Sequence, residues 1–124
     1  MSQPITNNPL LFLTCTVPVT TVATSLLSLI NTYMLASRPS DYQNYSTACR
    51  TVQYTAVKSN SGNVYVGDYK VASGAVPALQ TGSELAAGEG AYEQSYRDND
   101  SVNLATLYAV ADANTQYLNL RIRY

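Results

Sequence analysis

Apolar and polar residues alternate most regularly in the second half of the chain. In YLNLRIRY, 117–124, Leu118, Leu120 and Ile122 fall on one side, and Asn119, Arg121 and Arg123 on the other. A period of two is that of a strand with one buried face. CRTVQYTAVK, 49–58, repeats it, with Val52, Tyr54 and Ala56 opposite Thr51, Gln53 and Thr55. The next stretch, SNSGN, supplies Asn60, Gly62 and Asn63, which tolerate positive φ. It therefore predicts a hairpin between 49–58 and a second strand over 64–69. Gly67 is expected to end or bulge that strand. A short strand over 70–72 and a turn-rich excursion over 73–90 come next. AYEQSYR, 91–97, reads as a strand, DNDS, 98–101, as a turn, and LATLYAVA, 104–111, as a mostly apolar strand.

The first half is less regular. Residues 1–9 hold two prolines and two adjacent asparagines and read as an extended arm. Residues 10–17 are β-branched and aromatic enough for a strand, and Val19 to Thr24 is strand-like as well. From Ser25, a plausible N-cap, Leu26, Leu27, Leu29, Ile30, Tyr33 and Met34 recur at helical spacing. This predicts one short helix over 25–35, stopped ahead of Arg38-Pro39 because a residue before proline avoids the α region. Residues 37–48 read as a loop. The expected organisation is an arm and first strand over 1–18, a short helix and loop over 19–48, and an antiparallel β-sandwich over 49–124. Strands every 8–12 residues with turns between them predict a mainly β fold, a sandwich or small barrel of jelly-roll type.

Composition narrows the function. The 124 residues fit one domain with one modest core. Charged residues are 12% of the chain, about half the usual quarter, and Ser, Thr, Asn and Gln take their place. With a net charge of −1, no basic face is expected to attract nucleic acid. The most apolar run, 10–19, is too short to cross a bilayer and is interrupted by Pro18. No Lys or Arg precedes Arg38, so neither a secretory signal nor a membrane partner is expected. Cys15 and Cys49 are the only cysteines. They can form one bridge or pack as two free thiols.

Catalytic and metal chemistry find little support. Histidine is absent, which removes the commonest general base and metal ligand. No phosphate loop or nucleophile elbow is present. Gly88-Glu89-Gly90 reads as a turn with a solvated Glu rather than a catalytic acid. Asp98-Asn99-Asp100 reads as a turn rather than a cation site. No enzyme activity, cofactor or metal is expected. What stands out is 11 tyrosines in a weakly charged chain, since Tyr carries large apolar area with a polar tip and is enriched at protein contacts. Candidate contact residues are Ile5, Leu10, Leu11, Phe12 and Leu13 on the arm and first strand, with Tyr42, Tyr45, Tyr65, Tyr69, Tyr92, Tyr96 and Tyr124. The arm is suited to adding a strand to a neighbour.

ACRTVQYTAVKSNSGNVYVGDYKVA, LAAGEGAYEQSY and NLATLYAVADANTQYLNLRIRY together resemble a group of small virion proteins of tailed bacteriophages. The resemblance covers residues 48–124 and rests on short structural motifs: a strand, an Asn/Gly turn, a "VYVGD" strand, an "LxxGE" turn and a closing "LNLRxxY" strand. It implies a β-sandwich seated in a particle, as a capsid cement or decoration protein or as a head–tail or tail component. The expected partner is the major capsid protein. Self-association as a homotrimer is expected, because capsid lattices have local three-fold axes. The expected location is the virion, assembled in the host cytoplasm. The alternative is a receptor- or carbohydrate-binding module of a tail fibre, favoured if Tyr42, Tyr45 and Tyr92 surround one concave pocket beside Asp or Asn.

Overall fold

The computed structural model describes residues 12–39, 47–73, 80–95, 100–112 and 114–124. The alternating strand at the end of the chain organises the first sheet. β12 (Gln116–Arg123) pairs antiparallel with β1 (Phe12–Val19) on one side and with β4 (Thr51–Ala56) on the other. β9 (Gly90–Gln94) pairs with the far side of β4, giving the order β1-β12-β4-β9. Pro18 is tolerated because β1 is an edge strand, where a missing N–H breaks no ladder. The second sheet runs β2 (Thr24–Ser25), β11 (Tyr108–Ala111), β5 (Val64–Gly67), β8 (Ser83–Leu85). Two short ladders complete the strands: β3 (Ala48–Cys49) with β10 (Val102–Asn103), and β6 (Ala72–Ser73) with β7 (Gln80–Thr81).

The fold is mainly β, antiparallel and sandwich-like, with one short α-helix among the described residues, α1 (Leu26–Ser37). Leu13, Val17, Val52, Leu118, Leu120 and Ile122 of the first sheet share one core with Val64, Val66, Ala109 and Ala111 of the second. Leu26, Ile30 and Met34 bring the helix into the same core. The first strand and helix are therefore part of the sandwich and not a preface to residues 49–124. The helix begins where the sequence places it. Ser25 Oγ accepts the Ser28 N–H at 3.1 Å, and the Leu26 and Leu27 N–H groups donate to the Leu107 and Leu104 carbonyls at 2.8 and 3.2 Å. These bonds satisfy donors that a helix start leaves open.

Three expectations are corrected. First, 49–58 and 64–69 do not form a hairpin: β4 lies in one sheet and β5 in the other. The segment between them is an arch, held by side chains instead of a ladder. Gln116 Oε1 accepts the N–H groups of Ser61 and Gly62, both at 3.0 Å. Asn60 brackets Tyr117, donating from Nδ2 to its carbonyl at 2.8 Å and accepting its N–H at 2.9 Å. Asp112 Oδ1 accepts the Asn63 N–H at 3.0 Å. A Cβ on Gly62 would meet that same Asp112 oxygen, so Gly62 lets the arch approach Asp112 closely and does not mark a hairpin turn. Second, Val19 to Thr24 is not continuous strand. The chain turns at 20–23 and crosses to the second sheet, with Ala111 N–H bonded to the Thr20 carbonyl at 2.8 Å. Third, 104–111 is strand only from Tyr108. Asn103 Oδ1 accepts the Ala105 N–H at 2.9 Å, and Thr106 N–H bonds the Asn103 carbonyl at 3.0 Å, which closes a turn over 103–106.

Candidate functional site

Because side chains alternate along a strand, burying Leu13, Val52, Leu118 and Ile122 forces their neighbours onto the opposite face of the first sheet. The register aligns these neighbours in rows: Phe12, Arg123, Thr51 and Gln94; then Thr14, Arg121, Gln53 and Tyr92; then Thr16, Asn119, Thr55 and Gly90. Pro18 and Tyr117 extend the face. Three of the largest exposed apolar side chains lie here: Phe12, 42% exposed, Tyr92, 58%, and Tyr117, 47%. Between them are hydroxyls and carboxamides. Asn119 Nδ2 reaches across to Thr16 Oγ1 at 3.0 Å.

The only charges in these rows are two arginines, two residues apart on β12. The guanidinium groups of Arg121 and Arg123 each stand 5.6 Å from the centre of the Phe12 ring, within cation–π range. With Thr51 and Gln53 they line a shallow pocket of about 160 Å³. No carboxylate belongs to these rows. Glu93 points to the other side, where its carboxylate accepts the Tyr54 hydroxyl at 2.8 Å.

A second concavity sits at the Gly67–Tyr108 end of the other sheet. It measures about 350 Å³ and is lined by Asp68, Tyr69, Ala105, Thr106 and Tyr108. The turn over 103–106 forms one wall, and the turn that follows β5 forms the other. Asp68 Oδ1 accepts the Lys70 N–H at 2.9 Å, which fixes the carboxylate beside Tyr69.

Of the residues expected at a contact, Phe12 and Tyr92 lie on the open face of the first sheet, and Tyr69, 67% exposed, lines the tyrosine pocket. Leu13 and Tyr65 are core residues and cannot serve a contact through their side chains. Leu13 faces the main core. Tyr65 is covered by Val71 and Val110, and its hydroxyl donates to Glu84 at 3.0 Å. Tyr124 is half-buried against the main core. Ile5, Leu10, Leu11, Tyr42, Tyr45 and Tyr96 lie outside the described residues. The alternation of YLNLRIRY places Arg121 and Arg123 on the polar side of β12, but neither they nor Tyr117 are among the candidate contact residues expected from the sequence. Nor is Tyr108, which only the turn over 103–106 brings beside Tyr69.

Cys15 and Cys49 are both free and buried. Among the described residues no three metal-ligating side chains gather, and no helix is long and apolar enough to cross a membrane. No family model matches the chain, and no curated protein or solved structure is significantly similar to it.

Proposed function

We propose that the protein is a cement or decoration protein of a tailed-bacteriophage capsid. In this reading it binds the major capsid protein, associates as a homotrimer and stabilises the shell of the virion. The observation that carries the contact part is the open face of β1, β12, β4 and β9, with Phe12, Tyr92 and Tyr117 exposed on a field of Thr, Asn and Gln. The phage setting comes from the sequence resemblance over 48–124.

Covering a hydroxyl or carboxamide costs far less than covering an ionised group, and new hydrogen bonds offset much of that cost. A broad aromatic ring then returns apolar burial at roughly 25 cal/mol per Å². A contact of standard size covers about 800 Å² per partner, so a partner would cover the whole four-stranded face. Among the described residues β1 and β9 are the two edges of the same sheet, and an uncovered edge can take a neighbour's strand.

Co-sedimentation tests the reading. Purified protein mixed with expanded, undecorated phage heads is expected to pellet in stoichiometric amount. Tyr92→Glu and Tyr117→Glu each place a charge on the contact face, and are expected to weaken pelleting at least tenfold without unfolding the chain. Absence of pelleting by the unaltered protein would refute the proposal.

A further inference from the structure

We propose that the pocket between Tyr69 and Tyr108 binds an uncharged pyranose sugar. The pocket lies on the opposite side of the sandwich from the contact face. In β11, Ala109 and Ala111 point into the main core, so Tyr108 and Val110 point away from it. Among the described residues Tyr69 is the aromatic residue most exposed on that side, at 67%. Here its ring forms a wall of a cavity. At about 350 Å³, that cavity falls at the small end of ligand pockets, which span about 300–1,000 Å³.

The lining selects the ligand class. Two phenol rings with Ala105 and the Thr106 methyl make an apolar cleft. The face of an aromatic ring is electron-rich, and the axial C–H bonds of a pyranose carry slight positive charge, so the sugar's apolar face stacks on Tyr69. Asp68 stands at the rim. Its Oδ1 is anchored by the Lys70 N–H, and the remaining carboxylate lone pairs accept from a pair of vicinal hydroxyls. Charge-assisted bonds of that kind are the strong ones.

The same lining disfavours other classes. A phosphate or carboxylate ligand would meet Asp68. A quaternary ammonium would suit two tyrosines and an acid, but it would have to share the electron-rich Tyr69 ring with Lys70 Nζ, already 5.7 Å from its centre. A neutral polyol with one apolar face avoids both conflicts.

Isotope-labelled full-length protein titrated with methyl glucoside, mannoside, galactoside and N-acetylglucosaminide, each watched by NMR, tests the site. At least one glycoside is expected to give saturable shifts centred on Asp68, Tyr69, Ala105, Thr106 and Tyr108. Tyr69→Ala and Asp68→Asn are each expected to weaken that binding about tenfold, and Tyr92→Glu to leave it unchanged. Both altered side chains are exposed, so the fold is expected to survive. No saturable shift with any of the four glycosides overturns the proposal. So does saturation by choline or inorganic phosphate in their place, or glycoside binding unaffected by Tyr69→Ala. Sugar binding that persists while pelleting with heads fails would count against the capsid reading and leave this one standing.

Discussion

At the scale of single residues, Gln116 is the most informative position. It is the fully buried polar side chain among the described residues, 2% exposed, and its carbonyl oxygen holds two backbone N–H groups of the arch. Gln116→Ala removes both acceptors at once. A loss of about 1–3 kcal/mol is expected, read as a lower denaturation midpoint in urea. Gln116→Leu, which restores volume without the oxygen, is expected to be no better. The cysteines give a second prediction. Burial pushes both thiols up to about 11, with the charge of Arg38 pulling Cys15 part of the way back. Below about pH 8.5 both folded and unfolded thiols stay protonated, and stability is unaffected. Above that, the unfolded chain releases its protons first, so stability falls as pH climbs through about 11. Tyr54 acts in the same direction, raised by burial, by its bond to Glu93 and by the charge of Glu93. Thermal melts are therefore expected to show Tm declining above about pH 9, with a shallower decline in Cys15→Ala/Cys49→Ala. The native thiols are expected to resist iodoacetamide at about pH 8 and to react once the chain is unfolded.

Among the elements, the helix has two separable supports. Its start depends on Ser25 and on the carbonyls of Leu104 and Leu107. Its body depends on Leu26, Ile30 and Met34 in the core. Ser25→Ala is expected to cost about 1 kcal/mol, the ordinary value of an N-cap. Ile30→Ala leaves a cavity against the first sheet and is expected to cost about 2–5 kcal/mol. Denaturant titrations distinguish these, and equal losses would contradict the division. The arch between β4 and β5 teaches a different lesson. Its residues are hairpin formers by local preference. The partners that turn the chain to the other sheet are Gln116, Tyr117 and Asp112, about 50 to 57 positions away along the chain.

Taken as a whole, the molecule offers two distinct outer sides. One is the broad face with Phe12, Tyr92, Tyr117, Arg121 and Arg123; the other carries the Tyr69–Tyr108 pocket. The arginines add a charge preference to the proposed contact. Stacked on Phe12 and without a carboxylate in their rows, they favour an acidic patch on the partner. Arg121→Gln/Arg123→Gln is expected to weaken association with heads and to flatten its dependence on salt, measured by pelleting across an ionic-strength series. Folding stability is expected to stay within about 0.5 kcal/mol, since both side chains are on the surface. Binding that keeps its full salt dependence would remove the arginines from the contact.

Elements whose burial pattern is local were legible from the residues alone: the alternation of 117–124 and 51–56, the Ser25-capped helix, and a mainly β fold. Side chains at period two or at helical spacing declare their own buried face, whatever that face meets. Tertiary structure decided which strands became neighbours, that the Asn/Gly segment arches between sheets, and that Leu13 and Tyr65 are core while Tyr69 and Tyr108 converge. Those outcomes depend on contacts between residues far apart in the chain, and a turn-forming residue has the same local preference whether the strand beyond it folds back or crosses over.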